Sequence, residues 1–270
     1  MEKKNCILST EKYLKRINYD GVLAVSYDTL SRLTYCHFTS VPYENLDILN
    51  HIPLSLEIPD IYDKIVNRRR GGYCFELNAL FNWLLKEIGF HTDSFLSRFL
   101  MNEPTDKIPI RRHRVMKTVI EGKAYIADVG VGVEVPLYPL ELIENKETEI
   151  RGIIYRFRKD ELLGWVLQSR NFKKNESEWK DIYGFTEEIQ YEIDFVQPNF
   201  WCQYSPDSPL NRQHKIALRT ETGKYAIDGY IFRIYDTSGS QLNITEKMVE
   251  PSDMKNILTD YFGIFLNNKP

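Results

Sequence analysis

The stretch Arg70-Gly71-Gly72-Tyr73-Cys74-Phe75-Glu76-Leu77-Asn78 sets a cysteine between a glycine pair and the start of a helix. From Leu77 the apolar residues Leu80, Phe81, Leu84, Leu85 and Ile88 recur at helical spacing, and Gly89 supplies the stop. Cys74 therefore stands at a helix N-terminus, where the partial positive charge favours thiolate, the form that attacks carbonyl carbon. A buried apolar cysteine is the plain alternative, and a neighbouring base and acid would decide against it.

Outward from this stretch, the first ninety or so residues read as helices joined by short turns. Ser9 can cap a segment through Ile17, Ser26 one that Pro42 breaks, and Asp60 one carrying Ile61, Ile65 and Val66. From about residue 92 the period changes to two. His113 to Ile120, Ala124 to Val129, Ile150 to Arg158, Leu162 to Gln168 and Glu187 to Phe195 read as strands, which suggests an antiparallel barrel or sandwich. Beyond Asn199 the Ser205-Pro206-Asp207-Ser208-Pro209 turn leads into further hairpins, and a last helix is expected from Ser252 to Phe262.

At 270 residues, 43% hydrophobic and 27% charged, the chain can bury a large core. A net charge of -3 provides no field for nucleic acid or an anionic membrane over the whole surface. The charged start Met1-Glu2-Lys3-Lys4-Asn5-Cys6 is not followed by a long apolar run, so neither a signal peptide nor a membrane span is expected, and the location is read as cytoplasmic. Cysteines 6, 36, 74 and 202 form no CxxC pair, which argues against a zinc site and against disulfides. In a cytoplasmic chain the sequons at Asn175 and Asn243 are chance matches.

Of five histidines, His113 stands out because its strand turns at Glu121-Gly122 into Lys123 to Gly130. With a two-residue loop Ile120 pairs with Lys123, and His113 and Asp128 share one face as diagonal neighbours roughly 7 Å apart. An odd-length loop would put Asp128 on the other face. In the first register, imidazole can take the thiol proton while the carboxylate fixes its tautomer and stabilises its positive form.

Taken in order, Val41-Pro42-Tyr43-Glu44-Asn45-Leu46-Asp47, Arg70 to Asn78, His113-Arg114-Val115, Asp128-Val129-Gly130-Val131-Gly132, Ser205-Pro206-Asp207-Ser208 and Tyr261-Phe262-Gly263-Ile264 resemble the arylamine N-acetyltransferase family over nearly the whole chain. The resemblance implies an α+β protein with a cysteine-protease-like Cys-His-Asp core. It divides the chain into a helical domain over 1–91, an antiparallel β-barrel over 92–198 and an α/β lid over 199–270. It implies ping-pong transfer of acetyl from acetyl-coenzyme A, the co-substrate, to the nitrogen of an arylamine or arylhydrazine, or to the oxygen of an N-hydroxyarylamine, with no metal. Cys74 becomes nucleophile, His113 base and then acid, and Asp128 orienter. Glu44 and Arg70 become a supporting salt bridge, Gly132 and Ser208 contacts to coenzyme A, and Tyr43, Val131 and Trp201 the acceptor pocket. For Ser208 a turn role stands beside the cofactor role. A monomer or homodimer is expected. A related amide synthase and a transglutaminase-like cysteine hydrolase are the rival readings, and a non-catalytic binder a further one.

Overall fold

A computed structural model describes residues 7–101, 107–132, 135–171, 178–238 and 242–266; Cys6 and Asn175 lie outside them. Five helices come first: α1 (Thr10–Arg16), α2 (Tyr27–Ser40), α3 (Leu46–Leu49), α4 (Ile58–Tyr62) and α5 (Cys74–Ile88). Ser9 and Ser26 cap α1 and α2 through hydrogen bonds from Lys12 N and Thr29 N, and Gly89 ends α5 in the left-handed conformation at φ 106°. The helix expected to be capped by Asp60 starts earlier, at Ile58 with Pro59 in its first turn, and Asp60 instead accepts the Ser55 hydroxyl at 2.6 Å. Asp63–Asn67 continues α4 as a π-helical turn.

Eight strands follow: β1 (Thr92–Phe99), β2 (Arg111–Ile120), β3 (Lys123–Ala127), β4 (Leu140–Glu141), β5 (Thr148–Ile150), β6 (Ile153–Asp160), β7 (Gly164–Asn171) and β8 (Lys180–Phe185). They form one antiparallel sheet in the order β4-β3-β2-β1-β8-β7-β6-β5. A bridge from Glu144 to Phe157 brings the segment after β4 back to β6, so the sheet curls into a nearly closed barrel. The run from Ile150 to Arg158 is divided by a turn at Arg151 and Gly152, both at positive φ. The strand expected over Glu187 to Phe195 does not form. Both edges of β8 are already paired, with β1 and β7, so this segment has no free place in the sheet. It is held from the side, by Gln190 N donating to Ser94 O and by Arg114 gripping Glu192, and turns into a 3-10 segment, Glu192–Phe195, that leads into α6 (Val196–Tyr204).

The chain then forms a second antiparallel sheet, β9 (Lys215–Thr220), β10 (Gly223–Asp228), β11 (Ile231–Asp236) and β12 (Asn243–Met248), followed by α7 (Met254–Phe262). The main core is continuous from the apolar stripe of α5, through Leu77, Leu80, Phe81, Leu84 and Leu85, to barrel residues such as Phe95, Val115 and Met116. A second cluster joins α7 to the C-terminal sheet through Ile257, Leu258, Ile216 and Phe232. Packing of the helices onto the barrel sets the start of α5 against the ends of β2 and β3. No described helix is long and apolar enough to cross a membrane.

Candidate active site

Cys74 is the first residue of α5 and is 6% exposed. Its thiol lies 3.6 Å from the carbonyl oxygen of Arg112 and in hydrogen-bond contact with the His113 ring. His113 Nε2 stands 2.7 Å from Asp128 Oδ2; because a carboxylate can only accept, Nε2 carries the proton of that bond and Nδ1 is left for the thiol. The hairpin register explains this. Ile120 pairs with Lys123 and Met116 with Ala127, so the two-residue turn holds and Asp128 leaves β3 on the side of His113.

Asp128 is gripped by more than histidine. Its Oδ1 accepts from Asn78 Nδ2 at 2.8 Å and from Gly130 N at 2.9 Å. Asn78, one helical turn after Cys74, also donates to Arg114 O at 2.6 Å and accepts from Val129 N at 2.9 Å. This side chain therefore fastens both β2 and the Asp128 loop to the helix that carries the thiol. The sequence motif by itself assigns Asn78 no role; its i, i+4 spacing from Cys74 is the one signal that it shares the face of the thiol.

Burial alone would lower the pKa of the His113 ring, but the Asp128 carboxylate and the Cys74 thiol outweigh it and hold it up at about 10. Burial pushes the Cys74 thiol up, and the adjacent His113 draws it partly back. The N-terminus of α5 favours the thiolate further. The Asp128-backed ring is thus a strong acceptor for the proton of the thiol it touches, which is what a nucleophile paired with a base requires.

The expected Arg70–Glu44 bridge is present at 2.7 Å, within a larger buried network. Arg70 also pairs with Asp47 at 2.9 Å, and Lys64 joins Asp47 at 2.7 Å to Glu76 at 2.9 Å. Glu76 Oε2 accepts from Tyr73 N at 3.1 Å, so the network grips the backbone directly ahead of Cys74. Lys64, Asp47 and Glu76 had no assigned role; Glu76, three residues after the cap position Tyr73, could have been found as the acid of a capping pattern, whereas nothing in the sequence points to Lys64.

Tyr43 and Trp201 pack on the apolar cluster that contains Cys74, and Val131 is buried in the main core at the edge of that site. Tyr43, Val131 and Gly132 line a small open pocket of about 230 Å³ together with Phe38, Val41 and Ala217. Gly132 admits Tyr43 closely, since a Cβ there would stand 3.1 Å from Tyr43 Cδ1. Ser208 is fully buried; its hydroxyl donates to Cys202 O at 2.8 Å and accepts from Leu210 N at 3.3 Å, which is the turn role. A larger cleft of about 580 Å³, absent from the sequence reading, lies between the barrel and the C-terminal sheet, with Arg151, Arg219 and Lys224 among its walls.

The model of a family described as N-acetyltransferase matches residues 26–270. An arylamine N-acetyltransferase of Escherichia coli strain K12 is 34% identical over 83% of this chain and 78% of its own. An arylamine N-acetyltransferase / N-hydroxyarylamine O-acetyltransferase of Salmonella typhimurium is 30% identical over 95% and 89%. Among solved structures, the Salmonella typhimurium arylamine N-acetyltransferase superposes with a TM-score of 0.88 at 28% identity, covering 96% of this chain and 92% of that one. The Mycobacterium marinum enzyme in complex with CoA gives 0.86 at 28% identity, covering 95% and 93%. With the matched model spanning most of the sequence and the relatives agreeing along nearly all of it, the chain belongs to the arylamine N-acetyltransferase family.

Proposed function

We propose that the protein transfers an acetyl group from acetyl-coenzyme A to the nitrogen of an arylamine or arylhydrazine, or to the oxygen of an N-hydroxyarylamine, through an acetyl-Cys74 intermediate. The observation that carries this reading is the unbroken hydrogen-bonded line Cys74, His113, Asp128 at the start of α5. In the first half-reaction Cys74 sulfur attacks the thioester carbon, its proton passes to His113, and coenzyme A leaves as a thiol on receiving that proton. One thioester is exchanged for another, so the step is close to isoenergetic and needs no metal. In the second, the amine nitrogen attacks the acetyl carbon, His113 accepts the amine proton, and Cys74 is released. The N–H groups of Cys74 and Phe75, which precede the first bonds of α5 from Glu76 N and Leu77 N to Tyr73 O, can receive the developing oxyanion.

The donor and acceptor are read from the walls of the site. Arg151, Arg219 and Lys224, in a cleft with no acidic residue among its described walls, suit the phosphates of coenzyme A, and Arg219 also borders the pocket of Tyr43 and Val131. Phe38, Val41, Val129 and Val131 give that pocket walls that face an aromatic acceptor better than a polar one, and the aliphatic Val131 sets their shape. The same reading takes 1–91 as the domain carrying the nucleophile, 92–198 as the domain carrying its partners and 199–270 as a lid, in a cytoplasmic monomer or homodimer. Incubation with acetyl-coenzyme A alone should add one acetyl group to Cys74 by mass spectrometry, and Cys74→Ala should remove it with folding intact. Failure of wild-type protein to take up acetyl under trapping conditions would refute the reading.

A further inference from the structure

Tyr43 brings a phenol to Cys74 that the triad leaves unused. Its backbone is locked on two sides: Tyr43 N donates to Ala217 O at 2.8 Å and Ala217 N donates back to Tyr43 O at 2.9 Å, while Tyr43 also bridges in parallel to Gly72, two residues ahead of Cys74. The loop after β3 covers both side chains. A Cβ on Gly130 would stand 3.1 Å from Cys74 Cβ, and one on Gly132 3.1 Å from the Tyr43 ring. Cys74 and Tyr43 therefore lie under two residues of one loop that are themselves only two positions apart.

Gly132 meets the Tyr43 ring at Cδ1 and Cγ, its root, and the side chain packs on the buried cluster that contains Cys74, Phe75 and Cys202. The Tyr43 side chain is only half-buried, and among the described residues its hydroxyl has no hydrogen-bond partner. Burial raises its pKa, so it remains a neutral donor at every working pH. A hydroxyl fixed in place, protonated and uncommitted beside a nucleophile is placed to meet charge that arises only during reaction.

We propose that the Tyr43 hydroxyl donates a hydrogen bond to the acyl oxygen as it becomes an oxyanion on Cys74, adding a side-chain donor to the N–H groups of α5. When the amine nitrogen forms its bond to the acyl carbon, the carbonyl π pair moves to oxygen and is held by the phenol O–H, which keeps its proton. His113 removes the amine proton, the pair returns to re-form the carbonyl, and the carbon–sulfur bond breaks with its electrons on Cys74. The same donor serves acylation, because the same oxygen is charged there.

This inference rests on the acetyl-Cys74 reading, and the two fail separately. Tyr43→Phe keeps the ring and loses only an unpaired hydroxyl, so its melting temperature and the alkylation rate of Cys74 by iodoacetamide should match wild type. Its single-turnover acetylation by acetyl-coenzyme A, and deacetylation by an unsubstituted aniline, should each slow about 100-fold, with amine KM unchanged. Wild-type rates in both steps would overturn the proposal while leaving acetyl-Cys74 standing. A loss confined to acceptors with polar ring substituents, with acetylation unaffected, would also overturn it, making Tyr43 a substrate contact instead. Absence of acetylation in wild-type protein would overturn the underlying reading itself.

Discussion

Asn78 uses both ends of its amide to hold three pieces of backbone or side chain, Arg114 O, Asp128 Oδ1 and Val129 N, at one place on α5. An alanine there would leave Asp128 with His113 and Gly130 only, and would free the loop to move relative to the thiol. Asn78→Ala should therefore lower kcat roughly 10- to 100-fold with little change in amine KM, as expected for a second-layer residue that orients the reacting groups. Asp128→Asn is a harsher change, because the amide no longer stabilises the positive ring and permits the wrong tautomer. A loss of about 10⁴-fold in kcat is expected, with the alkaline limb of the pH–rate profile displaced toward lower pH as the His113 pKa falls. Steady-state kinetics over a pH series measures both. At this scale Cys74, His113 and Asp128 were legible from residue type and order, whereas Asn78 was not, since its partners are 36 to 51 positions away.

The start of α5 owes its placement to charges borrowed from other elements. Lys64 comes from the π-helical turn, Asp47 from α3, Glu44 from the segment before it and Arg70 from the approach to the helix. All are buried or nearly so, which raises the cost of leaving any one unpaired. Lys64→Met removes the cation shared by Asp47 and Glu76, so Glu76 would be stranded in the interior and Asp47 left with Arg70 alone. A destabilisation of about 3–5 kcal/mol is expected, read by urea denaturation, together with slower acetylation because Glu76 no longer secures Tyr73 N. Replacing Lys64 and Glu76 together by Met and Gln should cost less than Lys64→Met alone; an equal or larger cost would show that the network does not act as a unit.

Over the whole molecule, two buried histidines shape stability on opposite sides of neutrality. His37 lies between Tyr13 and Phe81, fully buried, and burial lowers its pKa to about 3. Below pH 6.5 the unfolded chain takes up a proton that the folded one refuses, so stability falls by up to about 1.4 kcal/mol per pH unit from 6.5 toward 3. His113 behaves in the reverse sense. With its pKa held up at about 10, its pairing contributes fully below pH 6.5 and is lost as pH rises from 6.5 through 10. The melting temperature should therefore peak near neutrality, His37→Leu should flatten the acid limb, and His113→Gln should flatten the alkaline one. Scanning calorimetry across pH tests each limb separately, and an unchanged acid limb in His37→Leu would refute the first assignment.

What the sequence determined by itself is local in physical origin. The helix after Cys74, its glycine stop, the serine caps and the Glu121-Gly122 turn depend on contacts within a few residues, and each can be read from spacing and residue type. The turn left two registers open, and the observed pairing of Ile120 with Lys123 selects the one that puts His113 and Asp128 on one face. The failures were non-local. Glu187 to Phe195 alternates like a strand, but β8 has both edges taken, so the segment could only turn away and become the approach to α6. For Ser208 the expected turn forms, but only the packing of α6 shows that the residue is buried with its hydroxyl committed to backbone. The charge network around Arg70, the grip of Asn78 on the Asp128 loop and the clamping of Tyr43 between Gly72 and Ala217 came only with tertiary structure. Each joins groups tens of positions apart or more, and their proximity follows from how helices, barrel and C-terminal sheet pack, which no local pattern encodes.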